Sequence, residues 1–367
     1  MNRTRSSLLP FALMLVASAT ARGQDIDDFV RGWIEKQHVP AVAIAVIKDG
    51  VPVKVEGYGL ADVENRVPAR ADTVFKIGSL SKQFIATAVM LLVQDGKLSV
   101  DDKVSKYLAG TPKTWDAITL RHLLTHTSGL VREAPGFDFN KLQPDIAVIE
   151  TGYSVPLAFE TGEKYEYSNL GYFVLAEIIH KVSGQAWADF LHERVFSPLG
   201  MTATRVTSLT DIVSNRASGY AWASGRLRNE DDFPAVRPSG AFLSTVQDLA
   251  KWDIALSGDR ILKESSKREM WTPVRLNDGR TFRYGFGWQL DDWPADSKVP
   301  TGVPMMRHGG SLTGFRAGYS RWPSHRLTVI VLTNLSNAPY EGLAANIAIT
   351  YAPQLRTDPR LPAPFLR

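Results

Sequence analysis

The sequence contains a single Ser-x-x-Lys, Ser79-Leu80-Ser81-Lys82. It opens the longest helical pattern in the chain, Leu80 to Asp95, which Gly96 ends in the manner of a C′ residue. A hydroxyl at a helix start meets free backbone N–H groups and the positive end of the helix dipole. Residues i and i+3 share a helix face, so Lys82 lies beside the Ser79 hydroxyl. A partly buried ammonium near other donors loses its proton easily and can then take that of the serine. The chemistry implied is acyl transfer through a serine ester. The competing reading is that Ser79 is a simple N-cap, the usual role of serine at helix starts. About one chance Ser-x-x-Lys is expected in a chain this long, so the motif alone favours the cap.

Two other polar clusters could join it. In Tyr165-Glu166-Tyr167-Ser168-Asn169, alternation puts Tyr167 and Asn169 on one side of an extended segment. A tyrosine can act as acid or base, and an asparagine amide can orient a carbonyl or a lysine. The plainer reading is a polar loop that caps the helix beginning at Leu170 through Ser168 or Asn169. In His308-Gly309-Gly310-Ser311, two glycines on an edge strand allow a ligand close to the backbone, and its N–H groups can face an oxyanion. The plainer reading there is a turn.

The elements that must position these residues are legible in outline. Ile26 to Gln37 has helical spacing. Val39–Ile47 and Val51–Tyr58 flank Asp49-Gly50, a strong hairpin signal. Residues 97–280 read as mostly helical and loop-like, including Leu120–Leu124, Tyr172–Val182 and Trp187–Val195. Strand character returns in Gly314–Trp322 and Arg326–Leu332, and Glu341–Tyr351 reads as a closing helix. These patterns predict an α+β fold: one antiparallel sheet built from both chain ends and flanked by helices, with a mainly helical inserted lobe. The sheet lobe is expected over about residues 24–96 and 281–367, the helical lobe over about 97–280, with a site in the cleft between them.

Residues 1–23 have a basic start at Arg3 and Arg5, a short apolar run from Leu8 to Ala17, and small residues at Ala19, Ala21 and Gly23. That is the pattern of a secretory signal peptide, too short to span a bilayer, and it implies a periplasmic or secreted protein without a transmembrane anchor. The absence of cysteine suits an oxidising compartment without a disulfide framework. The net charge of +4 is dispersed with no basic run, which argues against a nucleic-acid partner. No Gly-x-Ser-x-Gly occurs. His122 and His126 are four apart, but no Glu lies between them and no third ligand is near, so a structural role is favoured over zinc. No metal or cofactor is expected, and the partner is a small-molecule or peptide substrate.

Ser-x-x-Lys, Tyr-x-Asn and His-Gly-Gly, in this order, resemble the serine β-lactamase and penicillin-binding protein superfamily. The branch most similar contains class C β-lactamases, DD-peptidases, D-aminopeptidases and esterases. Phe75–Ser79, Leu120–Leu130, Tyr167–Tyr172, Pro198–Met201, Ser239–Thr245 with Asp248-Leu249, and Tyr284–Trp288 extend the resemblance over about residues 30–350. It implies that Ser79 is acylated, that Lys82 helps deprotonate it, and that Tyr167 shuttles protons. It further implies that Asn169 binds substrate and Lys82, that the N–H groups of Ser79 and Ser311 hold the oxyanion, and that Gly310 and His308 line the pocket. Where class C β-lactamases carry Lys-Thr-Gly, this chain has His308-Gly309-Gly310. A neutral histidine is no anchor for a substrate carboxylate, so a dedicated β-lactamase is disfavoured against an amidase or esterase. A non-hydrolytic binding protein and an acyltransferase are the other uses this pattern allows.

Overall fold

Asp49 and Gly50 both take positive φ, 55° and 78°. This is the backbone of a type I′ turn, whose twist matches that of the strands it joins. In the computed structural model, which describes residues 26–206, 211–230, 237–292 and 302–356, this turn links β1 (Ala41–Lys48) to β2 (Val51–Asp62). The segment read as a signal peptide lies outside the described residues.

A short β3 (Val67–Pro68) follows, and the distant half of the chain adds β4 (Gln289–Asp292), β5 (Pro304–Leu312), β6 (Phe315–Trp322) and β7 (Leu327–Thr333). The antiparallel order is β4-β5-β6-β7-β1-β2-β3. The chain ends therefore meet at the centre of the sheet, where Val42 stands opposite Thr333.

Strand β1 is buried on both faces, which explains its unbroken apolar run. Val42, Ile44 and Val46 pack under helix α1 (26–37), and Ala41, Ala43 and Ala45 point to the opposite face. On that opposite side lie α2 (Ser81–Gln94), α3 (Leu120–Leu124), α4 (Leu170–Ser183) and α5 (Val246–Leu256). The alanines leave room for α5, which rests directly on β1. The last helix, α6 (Tyr340–Tyr351), returns to the α1 side. Helix α2 is buried from Ser81 to Leu92, as a helix at the centre of a large core must be.

The middle of the chain is less purely helical than its sequence implies. Phe242–Ser244 pairs with Phe75–Lys76 and with Arg205–Val206 in a small separate sheet. Strands of two or three residues are too short to carry an alternating pattern. The run from Trp187 is α-helical only to Leu191 and continues as a π-helix, His192–Phe196. His308-Gly309-Gly310 lies within β5, so strand structure begins well before Gly314.

Beyond the reach of β4, the end of β5 leans against the turn that carries Ser79. A Cβ on Gly310 would stand 1.9 Å from the Ile77 carbonyl oxygen, and one on Gly78 (φ 53°) would stand 2.7 Å from Ser311 N. Only two missing side chains let strand and turn touch. Gly310→Ala should therefore force them apart, lowering stability by about 1–3 kcal/mol as overpacking does. Gly342→Ala, in α6 with nothing within 4 Å of its would-be Cβ, should be neutral or stabilising. Equal melting temperatures for the two variants would refute this account of the contact.

Candidate active site

Ser79 sits in a single turn of 3-10 helix, Gly78–Leu80, that feeds α2. The N-cap positions of the two helices are Ile77 and Leu80, and neither makes a side-chain cap. The capping alternative for Ser79 thus falls. Ser81 does the local work instead, donating to the Gly78 carbonyl at 2.7 Å and accepting from the Phe242 N–H at 3.2 Å.

Lys82 is 0% exposed. Its Nζ lies 2.8 Å from Asn169 Oδ1, 2.9 Å from the Ser239 carbonyl and 3.4 Å from Ser79 Oγ. Burial drives its pKa far below that of an ordinary lysine, and Arg237 and Arg132 push the same way against Glu133. A neutral amine has two hydrogens and one lone pair. The asparagine oxygen and the carbonyl are pure acceptors, so they take both hydrogens and the lone pair is left for the Ser79 hydroxyl.

Tyr167 and Asn169 come from the irregular segment that enters α4. Ser168 fills the capping role expected of this loop: its hydroxyl donates to the Val131 carbonyl at 2.8 Å and accepts from the Gly171 N–H at 3.1 Å. Asn169 is thereby free to hold Lys82 with its oxygen, while its Nδ2 donates to Glu133. The Tyr167 hydroxyl is hydrogen-bonded to that of Ser79, and its ring lies 4.6 Å from Lys82 Nζ. Burial raises the phenol far above its usual pKa, the Ser79 bond opposing, so Tyr167 keeps its proton and serves as a donor.

The third cluster divides. Ser311 lines a cavity of about 390 Å³ beside the Ser79 turn, together with Arg237, Gly240 and Arg316. Gly310 and His308 do not line that cavity. Gly310 is packed against Ile77, and both ring nitrogens of His308 are engaged: Nδ1 donates to the Gly309 carbonyl at 2.8 Å, and Nε2 is 2.9 Å from the Tyr284 hydroxyl. Burial and the nearby Lys82 pull the His308 pKa down to about 3, so it is neutral. His122 and His126 diverge because α3 ends at Leu124 and His126 turns back with φ 59°. His122 Nδ1 caps Thr119, and His126 is buried beside Tyr167.

Five further residues complete the site. The Ser239 carbonyl, His126 and Tyr284 fall in stretches quoted above, without a role readable from spacing. Glu133 and Arg237 lie in loops and carry no pattern. Arg237 stacks on Phe139 at 5.0 Å, and its Nη1 is 3.5 Å from Glu133 Oε1.

Known proteins resemble this chain in sequence and fold. Penicillin-binding protein 4* of Bacillus subtilis (strain 168) is 33% identical over 76% of the chain and 64% of its own length. The chain spans less than two thirds of the curated relatives it matches. Among solved structures, an octameric penicillin-binding protein homologue from Pyrococcus abyssi superposes with a TM-score of 0.76 at 29% identity, covering 89% of this chain and 76% of that one. D-amino acid amidase from Ochrobactrum anthropi SV3, complexed with D-phenylalanine, gives a TM-score of 0.73 at 25% identity over 90% and 98% of the two chains. Residues 26–352 match the family model described as Beta-lactamase, and the chain belongs to that family.

Proposed function

We propose that this protein is an exported serine hydrolase that cleaves an amide or ester, a D-alanyl peptide or small ester, through an acyl-enzyme on Ser79. The observation that carries the reading is the fully buried Lys82 Nζ, set between Asn169 Oδ1, the Ser239 carbonyl and Ser79 Oγ, where burial favours the neutral amine. Export rests on the amino-terminal pattern of Arg3, Arg5 and the apolar run after them. Among the described residues no helix is long and apolar enough to cross a membrane.

In the first step Ser79 Oγ attacks the substrate carbonyl carbon while its proton passes to Lys82 Nζ. The oxyanion accepts from the Ser79 and Ser311 N–H groups. Tyr167 gives its phenolic proton to the leaving amine or alcohol as the tetrahedral intermediate collapses, and recovers one from Lys82. Water then attacks the ester with the same groups acting in reverse, releasing the acid and restoring the Ser79 hydroxyl. The relatives named a penicillin-binding protein and a D-amino acid amidase support this substrate range.

With His308 neutral and hydrogen-bonded, a substrate carboxylate has no cation in the third motif. Arg237 and Arg316 line the adjoining cavity, and Arg237 Nη1 makes no hydrogen bond among the described residues. The guanidinium groups are the natural anchors for such a carboxylate.

Ser79→Ala should lower p-nitrophenyl acetate hydrolysis by about 10³-fold or more and abolish labelling by a fluorophosphonate. Hydrolysis at the wild-type rate would overturn the assignment, and stable labelling without product release would point to a non-hydrolytic binder. For peptides ending in D-Ala-D-Ala, the free acid should exceed the C-terminal amide in kcat/KM by about 10- to 100-fold, the worth of a hydrogen bond to a charged group. Arg316→Gln should collapse that ratio, and equal wild-type rates for acid and amide would remove the arginines from substrate binding.

Lys82 also predicts a stability effect. Its folded pKa is depressed, so below about pH 10.5 the unfolded chain binds a proton that the native chain refuses. Stability from this group is fully present above that pH and declines as pH falls. Lys82→Met should be inactive, and its melting temperature should gain on wild type between pH 10 and pH 7. A difference constant over that range would mean that Lys82 is charged in the folded protein.

A further inference from the structure

His126, Tyr284 and His308 touch one another in the core behind the site, and no proposed catalytic step uses them. His126 Nε2 is 3.2 Å from the Tyr284 hydroxyl, which is 2.9 Å from His308 Nε2. Both ends of this contact are closed by backbone. The Ser168 N–H donates to His126 Nδ1 at 3.1 Å, and His308 Nδ1 reaches the Gly309 carbonyl at 2.8 Å.

Those ends fix every proton between them. An amide N–H can only donate, so His126 Nδ1 is bare and the neutral ring carries its hydrogen on Nε2. A carbonyl can only accept, so the His308 hydrogen is on Nδ1 and its Nε2 is bare. The Tyr284 hydroxyl, which also meets that of Tyr172, has one hydrogen; it receives from His126 and gives that hydrogen to His308, whose bare Nε2 can only accept. The direction runs from Ser168 through His126, Tyr284 and His308 to Gly309.

One ring in this chain also touches the catalytic groups. The His126 ring centroid is 4.2 Å from that of Tyr167, and Lys82 Nζ approaches the Tyr167 ring at 4.6 Å. Ser168 is the residue next to Tyr167 in the chain. Two neighbouring residues of the α4 entry segment are thus tied, through Tyr284 and His308, to the strand that carries Ser311.

We propose that His126, Tyr284 and His308 are positioning residues, which hold Tyr167 on Ser79 through one hydrogen-bond chain of fixed direction joining the α4 entry segment to β5. The proposal rests on the acyl-transfer reading above. His308 acts through its neighbours on the phenol and not on the substrate. Protonation of either ring would break the direction, placing an N–H of His126 against that of Ser168, or one of His308 against Tyr284. The groups facing the rings oppose that charge. His126 is faced by Lys82, Arg132 and His308, with Tyr165, Tyr167, Tyr172 and Tyr284 around it. His308 is faced by Lys82 and Arg307, with Tyr167 and Tyr284.

The first test needs no variant. Nitrogen NMR of the histidine-labelled full chain should give His126 as the Nε2–H tautomer and His308 as Nδ1–H, both unchanged from pH 8 to pH 5. The reverse tautomer at either ring, or titration near pH 6.5, would overturn the chain. Tyr284→Phe should then lower kcat for p-nitrophenyl acetate by about 10- to 100-fold, as small misplacements of catalytic groups do, with KM nearly unchanged. The His126 N–H and the bare His308 Nε2, having lost their shared partner, should both shift in the nitrogen spectrum. Wild-type kcat with both tautomers intact in Tyr284→Phe would deny it a positioning role. Should Ser79→Ala stay active, the acyl-enzyme reading fails while the wild-type tautomers still decide whether the chain exists.

Discussion

A lysine whose positive charge is disfavoured by burial is the constraint around which this site is organised. An ammonium without water is expensive, and the chain accepts that expense by burying Lys82 completely on a helix that is itself buried. Arg132 and Arg237 add positive potential, and the two acceptors at Nζ are a neutral amide and a neutral carbonyl instead of a carboxylate. Glu133 is kept one residue away, on the far side of the Asn169 amide. A carboxylate directly on Nζ would have held the proton there and left Ser79 without a base. The asparagine thus serves as a spacer as well as a ligand, giving Lys82 an oxygen while keeping the negative charge at a distance.

The same layout separates two jobs that a tyrosine and a lysine side by side could confuse. Burial lowers the lysine and raises the phenol, so the two groups leave neutrality in opposite senses and stay distinct in role. In the proposed reaction one accepts a proton from the serine and the other holds a proton ready for the departing group. Both act on the same hydroxyl because Tyr167 leans its ring on Lys82 and its oxygen on Ser79.

The sequence made the fold readable where long patterns exist. The Asp49-Gly50 hairpin, the all-apolar β1 and the run of α2 each have one physical solution, and the sheet from both chain ends follows from them. Ser79, Lys82, Tyr167 and Asn169 stand out only as an ordered set, since each alone loses to a capping or loop role. Ser81 and Ser168 prove to be the residues that do that local work. Glu133, Arg237 and the Ser239 carbonyl were not legible, because loop residues acquire their neighbours from tertiary structure and leave no spacing behind. His308 and Gly310 were legible as a motif but not in their orientation. Whether a side chain on a strand meets the cleft or the core depends on pleat and packing partner, and here Gly310 faces Ile77 and His308 faces Tyr284.

The meeting of the two chain ends at β1 and β7 has a consequence in time. Ser79 and Lys82 are synthesised early, yet the groups that make them reactive come from far along the chain. Asn169 is 87 positions from Lys82, the Ser239 carbonyl 157, and the Asn334 side chain that fastens β1 through the Ala41 N–H is 293 positions from it. Until those segments arrive, the lysine is wet and charged and the serine is an ordinary alcohol. Contacts of such long range also form slowly. Under the proposed reading, the serine of a nascent chain stays an ordinary alcohol until Asn169 and Ser239 have closed around Lys82.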